Sequence, residues 1–201
     1  AMSPEELFRQ REERIQNAVR LRKPDQTPII LVFGSFAARY AGIGRGDEGY
    51  GLERSYEANF KATTDFEPDM ASVPITFGSI LKRLNSSASG LPDDYGYQYA
   101  EREYMKAQEY DAFLFDPSDY LIRYHWPRTM AKTAVFSQMP PLRTLISYSF
   151  ALSTGLTPLA TSQGIEALEA LKEAGEESVR VAAALQRFRE RLAASGFPMF
   201  Y

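Results

Sequence analysis

The sequence predicts an α/β fold, a partial (half) TIM-type (β/α) barrel with parallel strands and amino-terminal helices, and three observations predict it. Residues 29–33, IILVF, are a continuous apolar run rich in β-branched side chains between Pro28 and Gly34, the pattern of a strand buried on both faces. Residues 52–66 read as a helix and the apolar segment MASVPIT follows at 70–76, so the β-helix-β order implies a parallel pair joined by a right-handed crossover. About four strands can be counted in all, where a closed barrel needs eight and typically about 250 residues. The 201 residues are therefore expected to form one domain, 1–201, that cannot close a barrel alone.

Taken in order, Ser3-Pro4-Glu5-Glu6 combines an N-cap, a proline at the first helical position and a glutamate three residues on, which satisfies the free amides of a helix start. The helix should run to about Arg22, with Leu7, Phe8, Ile15, Val19 and the stem of Arg11 on one stripe. Arg9, Glu12, Glu13 and Arg20 then face water. Lys23-Pro24-Asp25 stops it, and the strand 29–33 follows. Behind that strand Ser35, Ala37 and Ala38 are small, and Arg39 and Tyr40 emerge at the carboxyl edge, where α/β proteins hold ligands. Residues 44–49 match GxGxxG formally, but the motif starts about ten residues after the strand rather than directly behind it, so a flexible loop is expected. Residues 85–96, NSSASGLPDDYG, also read as loop.

Tyr95, Tyr97 and Tyr99 alternate, so in an extended segment they share one face. That face would pack against the protein or stack on a flat cofactor. Asp93 and Asp94 are candidate acid or base groups, although adjacent carboxylates usually diverge and serve as solvated loop charges or caps. One helix should close near Leu114 and another open with Asp116 as cap and Pro117 at its first position. His125, the one histidine, stands beside the one tryptophan; without thiolates or further imidazoles it builds no zinc site and is expected to pack or lie on the surface. The run 142–152, LRTLISYSFAL, has both strand and helix character. Residues 161–174 and 176–194 should form two helices, with Gly175 between them and Gly196 as the stop. FPMFY at 197–201 begins a further apolar strand.

Composition excludes several classes of function. The net charge is -3 and no Lys/Arg block is long enough to track phosphates, which argues against nucleic acid. There is no cysteine, and hence no disulfide or thiolate site on this chain. No apolar run approaches the ~20 residues of a spanning helix and no leader-like segment opens the chain, so a cytoplasmic location without membrane contact is expected. Ala1 before Met2 reads as a remnant of tag removal.

The segments RIQNAVRLRKPDQTPI and FxxFAARYAG, followed by GLPDDYGYQY and EYDAFLFDPSDYLIRYHWPR, resemble the uroporphyrinogen decarboxylase superfamily. That superfamily holds true decarboxylases and also corrinoid-dependent methyltransferases and demethylases. GLPDDYGYQY is similar to the methyltransferase-like branch. Arg39 falls where the decarboxylases keep a tetrapyrrole-binding arginine within RQAGRY, but their earlier arginine falls at or near Ser35. Their catalytic aspartate falls at Thr76 or a neighbour, and no carboxylate occurs between Asp69 and Asp93. The resemblance covers essentially the whole chain but the amino-terminal half of the family, whose members are nearly twice as long. The methyltransferases' zinc and thiol-activating ligands, His and Cys, would fall in the other half.

The resemblance therefore implies the amino-terminal part of an enzyme of corrinoid-linked methyl transfer or demethylation, inactive as this chain alone. In it Arg39 and Tyr40 would hold a carboxylate or amide of the ligand, Phe33 and Phe36 would wall the pocket, and the loop from Asp93 through Tyr97 to Tyr99 would act as a lid. No catalytic residue and no metal ligand is assigned to this chain, and a corrinoid, with a corrinoid protein as partner, would belong to the full-length enzyme. A tetrapyrrole decarboxylase is the alternative within enzymes, and a non-catalytic half-barrel binding or assembly module the alternative outside them. Uncovered apolar strand and helix faces further imply a homodimer.

Overall fold

The computed structural model describes residues 2–44, 51–72, 74, 78–86, 89–90, 98–99, 101–147 and 155–199. The chain divides into two compact units, one built from residues 1–78, 91–96 and 179–201, the other from 79–90 and 97–178. Helices dominate both, and the parallel pairing expected of an α/β chain is present in the first.

The first unit opens with helix α1, Pro4–Val19, whose start carries the full capping box: the Ser3 hydroxyl accepts from the Glu6 amide and the Glu6 carboxylate from the Ser3 amide. Arg9, Glu12, Glu13 and Arg20 are exposed as expected, but Val19 is exposed too, and the buried stripe is made by Arg11, Arg14 and Ile15. Two guanidinium groups turn inward because carboxylates and carbonyls wait for them there. Arg11 donates to the Gly196 carbonyl at 2.7 Å and lies over the Phe197 ring at 4.1 Å. Arg14 reaches Asp25 through two 2.7 Å bonds and Asp69 through a third.

Asp69 then ties the sheet together. Its carboxylate accepts from the Ile29 amide at 2.7 Å and its own amide donates to the Ile29 carbonyl at 2.8 Å. Strand β1, Ile30–Leu31, runs parallel to β2, Met70–Ala71, in the register Ile30 to Met70 and Leu31 to Ala71. The Ala71 amide continues to the Pro198 carbonyl at 2.9 Å, and Met199 bridges Ala71 in parallel, so the apolar segment after Gly196 does join this sheet. The pairing agrees with the parallel order read from the sequence, but the burial does not. Ile29 and Ile30 are exposed and Val32 keeps 70 % of its surface in water, while Leu31 and Phe33 are half-buried, so the run 29–33 holds a short strand covered on one face where two covered faces were expected. Among the described residues nothing pairs with the second edge of β1.

Helix α2, Phe36–Tyr40, follows β1 after Gly34, whose φ of +50° suits glycine. Helix α3, Leu52–Phe66, spans the residues the sequence marked. The main core of this unit sets Leu52, Tyr56 and Ala71 against Ala184, Phe188, Leu192 and Phe197.

In the second unit the expected loop 85–96 is described at 85–86 and 89–90, where Ser89–Gly90 pairs antiparallel with Gln98–Tyr99 as β3 and β4. Helices α4, Tyr110–Phe115, and α5, Pro117–Tyr120, meet at Asp116, whose carboxylate accepts from the Asp119 amide, the capping read from the sequence. A π-helical turn, Leu121–His125, continues α5. The described part of the run 142–152 is helical, Leu142–Ser147. One helix of 33 residues, Ser162–Ala194, takes the place of the two expected around Gly175. An interior glycine costs roughly 1 kcal/mol against alanine, too little to interrupt a long Ala, Leu, Glu and Arg sequence.

Candidate functional site

The sequence-marked residues Phe33, Phe36 and Tyr40 come together at the carboxyl end of β1, and Phe66 from the end of α3 joins them. Ala37 and Ala38 face inward, fully buried against Ala58 and Ala62 of α3. With only methyl groups between them the two helices approach closely, and the opposite face of α2 is left to the large side chains. Phe33 and Phe36 stack with centroids 6.3 Å apart, and Phe36 and Tyr40 at 5.6 Å. Phe66 closes the group edge-on to Phe36 at 5.6 Å and tilted to Tyr40 at 5.2 Å. Phe36, Tyr40 and Phe66 are all more than 40 % exposed, so the rings make an open aromatic face, where a packed core would have hidden them.

Charge is arranged along one side of this face. The Tyr40 hydroxyl donates to Asp65 Oδ2 at 3.0 Å, Lys61 pairs with the same oxygen, and the Lys61 ammonium lies 5.0 Å from the Tyr40 ring centroid. The Lys61 bond first and the Tyr40 bond second hold the Asp65 carboxyl below its ordinary value, while Asp65 raises Lys61. Arg39 is exposed and has no ion-pair partner among the described residues. The site thus offers flat apolar surface, an uncommitted guanidinium and a hydrogen-bonded Tyr-Asp-Lys row. It can stack a flat conjugated molecule and bind polar groups at its margin.

Asp93 and Tyr97, the proposed lid, lie outside the described residues, as do Tyr95 and Thr76. Phe66, Lys61 and Asp65 were missed in the sequence. Their signal was the spacing of the acidic, basic and aromatic residues on the exposed side of α3 near its carboxyl end.

Elsewhere several charged groups are committed to structure. In the second unit Glu109 accepts from Arg128 at 2.7 Å, from Tyr120 at 3.1 Å and from the Lys106 amide at 3.0 Å; the Arg128 guanidinium holds its carboxyl at about 2. Asp119 binds Arg123 through two bonds and accepts from the Leu142 amide at 2.8 Å. His125 is half-buried beside the Tyr104 ring, centroids 6.1 Å apart, and burial pushes it below its ordinary value. A groove in the first unit has Tyr56 and Phe188 for its floor and the Glu57–Arg191 ion pair on its rim. No group of three His, Cys, Asp or Glu side chains stands at metal-binding proximity among the described residues, and none of the described helices is long and apolar enough to cross a membrane.

No protein-family model, curated protein or solved structure matches the chain.

Proposed function

We propose that the chain is the ligand-positioning part of an enzyme similar to the methyltransferase and demethylase branch of the uroporphyrinogen decarboxylase superfamily, acting in the cytoplasm with a corrinoid. The observation that carries this reading is the open face of Phe33, Phe36, Tyr40 and Phe66 behind a parallel strand, with Arg39 uncommitted beside it. These residues suit the edge of a large conjugated macrocycle, which needs flat apolar contact and a few polar partners. The corrinoid would supply the methyl-carrying centre. This chain's own residues bind the ring, orient its edge and shield that edge from water. The half-barrel belongs to the same proposal: β1, β2 and the segment at Met199 stand in parallel as successive barrel strands would.

The test is an absorbance titration of the chain with hydroxocobalamin. Saturable binding that Phe36→Ala weakens about tenfold, the worth of one good aromatic contact, supports the reading. Absence of binding, or preferred binding and decarboxylation of uroporphyrinogen, overturns it.

A second reading, assembly of two copies without catalysis, is favoured by the exposure of Ile29, Ile30 and Val32 on a strand whose composition suits burial on both faces. Sedimentation decides this one: a homodimer that Val32→Lys dissociates supports it, and a monomer at all concentrations sinks it.

A further inference from the structure

The groove floored by Tyr56 and Phe188 lies within the first unit, between α3 and the carboxyl part of the 33-residue helix. The Tyr56 and Phe188 rings meet with centroids 4.9 Å apart, and about one turn further on the Arg191 guanidinium lies 3.7 Å from the Phe60 ring centroid. The two helices therefore advance in the same direction along the groove. Glu53 and Glu57 stand one turn apart on α3, and Arg187 and Arg191 one turn apart on the other helix. Glu57 pairs with Arg191. One turn back along both helices, the same step carries that pair onto Glu53 and Arg187, and both of these line the groove. Yet both are exposed, and their side chains make no ion pair or hydrogen bond with any described residue. Arg191 is steadied on the Phe60 ring, whereas the ring one turn back, Tyr56, is taken by Phe188. Arg187 has no such seat.

The open turn offers a defined set of groups. Glu53 only accepts and Arg187 only donates. Below them the floor is apolar: Tyr56 and Phe188 are buried there, and Ala184, one turn before Phe188, contributes a methyl group alone, which leaves room. The two carboxylates and two guanidinium groups cancel, so the groove as a whole favours neither an anion nor a cation. Its volume of about 220 Å³ is below the roughly 300–1,000 Å³ of sites for drug-sized ligands. That is room for one residue-sized molecule.

We propose that this groove binds a free apolar α-amino acid as its zwitterion, the ammonium donating to Glu53, the carboxylate accepting from Arg187 and the side chain lying on Tyr56 and Phe188. The ligand completes the missing ion pair by standing between its halves. Each contact is modest at an open site, so selection comes from making all three at once. The site shares no residue with the aromatic face of Phe33, Phe36, Tyr40 and Phe66, and it stands or falls independently of that face.

An NMR titration of the carbon-13-labelled full chain with L-leucine, read on the aromatic resonances of Tyr56 and Phe188, tests it. Saturable shifts of both rings are expected. N-acetylleucine, which lacks the ammonium, and leucinamide, which lacks the carboxylate, should each bind about tenfold more weakly, the effect of losing one hydrogen bond to a charged group. Glu53→Gln should bring leucine level with N-acetylleucine, and Arg187→Gln should bring it level with leucinamide. Circular dichroism checks that these exposed substitutions leave the helices intact, and the three ligands on the wild-type chain test the proposal without them. Absence of saturable shifts at the two rings overturns the site. N-acetylleucine as tight as leucine would mark a seat for a peptide's carboxyl end, leucinamide as tight as leucine a seat for its amino end, and either result overturns the free amino acid. Preferences that survive both variants overturn the roles given to Glu53 and Arg187.

Discussion

Arg14 ties α1 to the segments that lead into β1 and β2. It is 7 % exposed and is the meeting point of two Pro-Asp pairs, Pro24-Asp25 ahead of β1 and Pro68-Asp69 ahead of β2. Removing one partner of a buried ion pair strands the other charge, which costs about 3–5 kcal/mol. Arg14→Met should therefore lower the urea-unfolding free energy by about that amount, and a loss under about 1 kcal/mol, the range of an exposed pair, would mean that water reaches Asp69. The titration of single groups sets the pH profile. Asp25, beside the Arg14 guanidinium, and Glu109, beside Arg128, both sit at about 2, below their unfolded values. A group lowered on folding stabilises fully above its unfolded pKa and loses that contribution as pH falls through its folded one. Burial lowers His125 in the same sense. Stability should thus be highest near neutrality, begin to fall below pH ~6.5 as His125 resists its proton, and fall further from pH ~4.5 toward about 2 as the carboxyls are protonated. Urea midpoints across this range check it, and Glu109→Gln should flatten the acid part; a midpoint that rises on acidification contradicts the sign.

At the level of elements, Gly175 lies inside the 33-residue helix with open space where a Cβ would stand. Gly175→Ala should raise the melting temperature and add about 0.5–1 kcal/mol; a destabilised variant would mean the backbone there is not helical. Phe188, buried on Tyr56 with centroids 4.9 Å apart, should cost about 3–5 kcal/mol as Phe188→Ala, measured by the same denaturation. The elements differ in how legible they were. The capping box at Ser3, the cap at Asp116 and the span of α3 could be read because caps and amphipathic periods are local. The parallel pairing of β1 and β2 followed from helix-strand order. The stem of Arg11 was read on the buried stripe of α1, but the inward turn of Arg14 was not, since the apolar stripe hides what the helix will meet, although the repeated Pro-Asp ahead of each strand was a signal. Nor could the exposure of the run 29–33, because composition reports what a strand suits and not what covers it. Of the candidate site, Arg39 and Tyr40 were legible from their place behind the strand, and Phe33 and Phe36 were named with the resemblance. Lys61, Asp65 and Phe66 come from the far end of another helix and needed the fold.

At the scale of the molecule, the exposed side of β1 and the aromatic face lie in the first unit, and both leave large apolar side chains in water. Binding a ring to the second is a statement about which rings of the protein feel a ligand. Aromatic proton-carbon NMR spectra of the full chain, recorded while dicyanocobinamide is added, measure this directly. Saturable shifts concentrated on Phe33, Phe36, Tyr40 and Phe66 are expected. Unmoved resonances there, or shifts confined to Tyr56 and Phe188 in the groove of the same unit, would contradict the assignment of this face as the ligand site.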